Sequence, residues 1–143
     1  MSIDGLDDAT IRRILTDTRR IAVVGASANP DRPSYGVMGF LMARGHDVTP
    51  VNPGLEGQDL QGRRVAGRLD SAGPLEMVDI FRASDQVGPV VDDAIRLGAN
   101  IVWMQLGVVD EAAAARARDA GLTVVMDRCP AIEVRRLGLP DLA

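Results

Sequence analysis

The turn Gly25-Ala26-Ser27 directly follows the apolar run Ile21-Ala22-Val23-Val24, and helix-forming sequence resumes at Ser34. This is a spacing that can hold a phosphorylated ligand. Glycine permits a tight turn and lets a ligand approach the backbone closely. Ser27 adds a hydroxyl and an amide. Amides that open a helix near Ser34 and Tyr35 can receive phosphate oxygens without any positive side chain. Arg32, between turn and helix, can add a charge-assisted bond. The plainer alternative is that Gly25 only terminates a strand.

Three other groups stand at the ends of apolar runs. Phe81-Arg82 closes Met77-Val78-Asp79-Ile80, where a ring beside a guanidinium can sandwich an adenine or pair a phosphate. Its alternative is a core phenylalanine next to a solvated charge. Trp103, Gln105 and Gly107 close Ile101-Val102-Trp103-Met104. Tryptophan there serves packing or ligand contact, whereas a polar Gln just beyond it is harder to explain by packing alone. Cys129 follows Leu122–Met126 within Asp127-Arg128-Cys129-Pro130 and reads as a small buried residue rather than an activated thiol. His46, between Gly45 and Asp47, reads as a surface residue away from the ligand edge.

Several chemistries are excluded. The turn is not the dinucleotide fingerprint, because Ser27 and Pro30 occupy glycine positions. The second strand ends in Asn52-Pro53, where an NAD enzyme usually carries an acid for the ribose. There is no P-loop and no lysine: all 16 fixed cations are arginines. One cysteine and one histidine cannot build a disulfide or a polyhistidine metal site. A net charge of -4 and 3% aromatic residues disfavour nucleic acid, and no apolar stretch is long enough to span a bilayer. Asp4, Asp7 and Asp8 near the start argue against a leader, so a cytoplasmic protein is expected.

The elements that position these groups follow from periodicity. A helix is expected over Asp7–Thr18, another from an N-cap at Ser34 through Arg44, a third from about Gln86 to Leu97 and a fourth from Asp110 to Ala120. Strands are expected at Ile21–Val24, Val48–Val51, Met77–Phe81, Ile101–Met104 and Leu122–Met126. Leu55–Ala72 reads as an irregular surface connection. Short runs apolar on both faces, alternating with helices, require an α/β fold: a doubly wound, five-stranded parallel sheet with helices on both faces. Residues 1–143 form a single domain, with an N-terminal helix in 1–19, a core in 20–129 and a C-terminal tail in 130–143.

Six blocks then occur in order: Ala22-Val23-Val24-Gly25-Ala26-Ser27, Arg32-Pro33-Ser34-Tyr35-Gly36, Val51-Asn52-Pro53, Val78-Asp79-Ile80-Phe81-Arg82, Trp103-Met104-Gln105-Leu106-Gly107 and Asp127-Arg128-Cys129. Together they resemble the small stand-alone CoA-binding proteins, related to the CoA-binding domain of the succinyl-CoA synthetase alpha subunit. The resemblance implies a Rossmann-like domain with coenzyme A at the loops. Gly25, Ala26 and Ser27 would meet the pyrophosphate, with Arg32, Ser34 and Tyr35 flanking it. Asn52 and Pro53 would border the adenosine, with Phe81 and Arg82 on its other side. A strand end free of acid suits a ribose 3′-phosphate. The synthetases pass phosphate through a histidine in a second domain, which this chain lacks, and no nucleophile–base pair is evident. A non-catalytic binder of CoA or acyl-CoA is therefore expected, acting as a homodimer or with an unidentified protein partner. The alternatives are an NAD(P)-binding oxidoreductase or redox sensor, and a detached subunit of an acyl-CoA synthetase.

Overall fold

In the computed structural model, which describes residues 2–143, the apolar runs lie side by side in one sheet. The strands are β1 (Arg20–Val24), β2 (Asp47–Val51), a short antiparallel pair β3 (Asp59–Leu60) and β4 (Arg63–Arg64), β5 (Met77–Ile80), β6 (Ile101–Met104) and β7 (Thr123–Val125). The main sheet is fully parallel, in the order β2-β1-β5-β6-β7. The helices are α1 (Asp8–Asp17), α2 (Pro33–Arg44), α3 (Val87–Arg96), α4 (Glu111–Asp119) and α5 (Pro130–Arg136).

Alternation along each strand sorts the core into two layers. Ile21, Val23, Met77, Trp103 and Val125 pack with Ile11 and Leu15 of α1, Met38 and Leu41 of α2, and Val134 of α5. Ala22, Val24, Val78, Ile80, Val102, Met104 and Val124 pack with Val87 and Val91 of α3 and Ala113 and Ala117 of α4. The doubly wound arrangement expected from the sequence is present. The order in which successive strands are added reverses beside β1, whose neighbours are β2 on one side and β5 on the other. Such a reversal opens a crevice at the carboxyl ends of the strands.

Local signals set most boundaries. Asp7 caps α1 by accepting the Thr10 amide at 2.9 Å, and Asp110 caps α4 by accepting the Ala113 amide at 3.0 Å. Pro50 sits in β2, an edge strand, where a missing N–H is tolerated.

Four expectations need correction. Ser34 is not the N-cap of α2: Pro33 begins the helix and Arg32 occupies the cap position, because proline fits the first helical turn. Residues from 130 are not a plain tail, since Pro130–Arg136 form α5 and bury Ala131, Glu133 and Val134. Leu55–Ala72 holds the β3–β4 pair and buries Leu60, Val65 and Leu69. His46 is not on the surface: it is 2% exposed, with Nε2 2.8 Å from Arg44 Nη1. Arg44 is itself buried and donates to the carbonyls of Leu15 and Pro140.

Candidate functional site

The loops after all five strands border one cleft of about 830 Å³. Its lining runs from Asn52 beyond β2, through Gly25, Ala26 and Ser27 beyond β1 and Phe81 and Arg82 beyond β5, to Gln105 and Leu106 beyond β6 and Cys129 beyond β7. Ser34, Val37 and Phe40 of α2 and Ala131, Ile132 and Arg135 of α5 form the wall on one side.

Gly25 is required by geometry. Its φ is 88°, and a Cβ there would lie 2.5 Å from the Phe81 carbonyl oxygen. This contact lets the loops beyond β1 and β5 close together at the reversal point. The amides of Gly25 and Ala26 both donate to the Val51 carbonyl, at 3.0 and 3.3 Å. They are therefore committed to the turn rather than free for an anion. Asn52 locks the same turn, donating Nδ2–H to the Ala26 carbonyl at 2.7 Å while Oδ1 accepts the Gly54 amide at 2.8 Å. Ser27 Oγ accepts the Asn29 amide at 3.0 Å. Among the described residues, the amides of Ser27, Ala28 and Ser34 have no protein acceptor, so the donors available to an anion start at Ser27 and continue at the opening of α2.

The electrostatics of the cleft are one-sided. Arg32, Arg82 and Arg135 line it, and among the described residues no carboxylate does. None of the three forms an ion pair among the described residues. Arg135 lies over the Phe40 ring, 4.7 Å from its centroid, which holds the guanidinium on the rim. In a chain of net charge -4, this concentrates unpaired positive charge where the free amides also converge. Among the described residues no cluster of His, Cys, Asp and Glu could hold a metal ion.

Three residues singled out from sequence lie elsewhere. Trp103 is fully buried and donates its indole N–H to the Arg128 carbonyl at 2.8 Å, so it supports the loop beneath Cys129 instead of lining the cleft. Tyr35 packs partly against the α1–α2–α5 core layer, and Pro53 is exposed; neither borders the cleft. Conversely, sequence reasoning missed Phe40, Leu106, Val108, Ala131, Ile132 and Arg135. Nothing in the sequence marked them; the exposure of the apolar Leu106 and Ile132, at 52% and 48%, is visible only in the fold.

The floor near Cys129 is braced by a buried ion network. Arg128 donates from Nε to Asp4 Oδ2 at 2.9 Å and from Nη1 to Glu133 Oε1 at 2.6 Å. Burial would raise the Asp4 pKa, but the Arg128, Leu6, Met126 and Ser2 bonds outweigh it and hold it at about 2. Nearby Asp127, at φ 57°, accepts the Gly107 amide at 2.8 Å and so fixes the loop beyond β6. Two buried groups away from the cleft are strained electrostatically. Asp79, opposite Val23 and Trp103 in the sheet, is fully buried with no partner for either oxygen, and burial pushes its pKa well up. Burial, then the Arg44 charge, holds His46 down at about 4.

Comparison with known proteins fits this geometry. A family model described as a CoA binding domain matches residues 19–135. The Bacillus subtilis (strain 168) protein YneT, itself uncharacterized, is 36% identical over 121 residues, covering 85% of this chain and 89% of its own. A hypothetical protein from Pyrococcus horikoshii OT3 superposes with a TM-score of 0.91 at 40% identity, covering 96% of each chain. A dinucleotide-forming acetyl-coenzyme A synthetase from Ca. Korarchaeum cryptofilum shares the fold at 23% identity and a TM-score of 0.68; the match covers 82% of this chain and 28% of the synthetase. With the family model matching residues 19–135, from the start of β1 through most of α5, this chain belongs to the CoA binding domain family.

Proposed function

We propose that the chain binds coenzyme A, free or acylated, along the cleft at the strand ends, and that it holds the ligand without transforming it. The observation that carries this reading is the charge of the cleft: three unpaired arginines, no carboxylate, and the free amides of Ser27, Ala28 and Ser34 on one margin. A ligand with a pyrophosphate and a further phosphate complements that surface. In this reading Ser27, Ser34 and Arg32 hold the pyrophosphate, while Gly25 and Ala26 shape the loop that presents it. Asn52 borders the adenosine, with Pro53 beyond it at the outer edge, and Phe81 and Arg82 meet the adenosine 3′-phosphate end from the other side. The apolar residues Leu106, Val108 and Ile132 take the less polar arm.

What lines the cleft supports binding without turnover of an acyl group. Among the described residues it holds neither a histidine nor a carboxylate to move a proton beside a reacting carbonyl. Family membership and the arginine pattern support CoA over NAD, because the Asn52 amide at the end of β2 offers no acid to a ribose diol.

Isothermal titration with CoA, dephospho-CoA and NAD tests the reading. Saturable binding of CoA, weaker binding of dephospho-CoA and no heat from NAD are expected. Binding of NAD alone would replace the cofactor assignment.

A further inference from the structure

The cleft has a polar end that the phosphates do not use. Beyond β6, Gln105 is 6% exposed and lines the cleft, yet its buried Oε1 accepts no hydrogen bond. A buried acceptor without a donor is unusual and is satisfied when a ligand brings an N–H. Beyond β7 the cleft ends at Cys129, 7% exposed, the only cysteine in the chain.

The lengths agree. From β1 to β7 are three strand spacings, about 14 Å at ~4.8 Å each. The pantetheine arm, built from pantoate, β-alanine and cysteamine, reaches about as far as four extended residues, roughly 14 Å. An arm anchored by its pyrophosphate at Ser27 would carry its last amide over β6, beside Gln105, and its sulfur to Cys129 at the end of β7.

We propose that Cys129 captures the ligand covalently, by thiol–disulfide exchange with the oxidised, symmetrical disulfide of CoA. This rests on the CoA reading above. The Cys129 thiol gives up its proton and its sulfur attacks one sulfur of the CoA disulfide. A Cys129–CoA disulfide forms, the original sulfur–sulfur bond breaks, and the departing CoA thiolate takes up a proton. One disulfide is exchanged for another, so no further oxidant is consumed. Gln105 positions the arm, and the arginines supply selectivity for a phosphorylated disulfide.

The test incubates the reduced, full-length protein with CoA disulfide or glutathione disulfide and follows intact mass. Expected is a gain of one CoA less two hydrogens, reversed by dithiothreitol and absent in Cys129→Ser. It should form at least about tenfold faster than the glutathione adduct, and about tenfold more slowly in Gln105→Met, consistent with loss of one hydrogen bond. Equal rates with the two disulfides in wild-type protein would overturn the proposal. So would the absence of a CoA adduct when reduced CoA still titrates saturably, and that result leaves the CoA reading intact. No adduct together with no CoA binding removes both.

Discussion

A Cβ placed on Gly25 would lie 2.5 Å from the carbonyl oxygen of Phe81, closer than real Cβ contacts come. The residue also sits at φ 88°, a conformation that side-chain-bearing residues resist. Gly25→Ala should therefore destabilise the fold by at least about 2 kcal/mol and weaken CoA binding, because β1 and β5 must separate at the cleft. Urea unfolding checks this. A stability within about 0.5 kcal/mol of wild type would show that the turn relaxes freely.

Arg82 lies beyond β5 in the cleft without an acidic partner among the described residues. Arg82→Ala should cost about 1.5–3 kcal/mol of CoA affinity, roughly tenfold to 150-fold. Arg118→Ala, which removes the same charge from the exposed face of α4, should change affinity less than about twofold at moderate salt. If both variants weaken binding equally, overall charge rather than the cleft governs recognition.

His46 gives the stability an acid limit. Arg44 can only donate, so His46 Nε2 accepts and the ring is neutral with its proton on Nδ1. Its pKa is held at about 4 against 6.5 when unfolded. Between those values the unfolded chain binds more protons, so stability is full above pH 6.5 and falls as pH drops toward 4. The loss should approach about 3 kcal/mol and be largely absent in His46→Gln. Urea midpoints measured between pH 7 and 4.5 read it directly; parallel curves for the two proteins would remove His46 as the cause.

Asp79 acts with the opposite sign. Its folded pKa lies well above the ordinary 3.8, so the folded state binds the extra proton and stability declines as pH rises from about that value. Asp79→Val, apolar and suited to a strand, should stabilise the protein by about 1–3 kcal/mol near neutral pH and by less at pH 4.5. A gain independent of pH would mean that packing, not ionisation, makes the difference.

The sheet was legible because its strands are buried on both faces and so read as short, mostly apolar runs, even where Pro50 interrupts β2 and Asp79 interrupts β5. The crevice followed from the alternation of strands and helices, and Gly25, Ser27, Arg32, Asn52, Phe81, Arg82 and Gln105 all border it. The cleft wall built by α5 was hidden, since Cys129-Pro130 reads as an ending although proline also opens helices. Losing α5 from the sequence reading lost Ala131, Ile132 and Arg135 with it. Trp103 was misplaced for a different reason. As the third residue of β6 it alternates inward with Ile101, and only the indole bond to Arg128 explains its polar edge. His46 follows a glycine in a turn, and although its partner Arg44 is only two residues away, two polar residues flanking a glycine read as a solvated turn rather than as a buried pair.

The Asn52 carboxamide is a donor to Ala26 and an acceptor from Gly54 at once. An aspartate there would keep the second bond but turn an acceptor toward the Ala26 carbonyl, costing the turn its lock. A nicotinamide site at this position would need the acid and a rebuilt loop together, because the acid alone loses the bond to the Ala26 carbonyl.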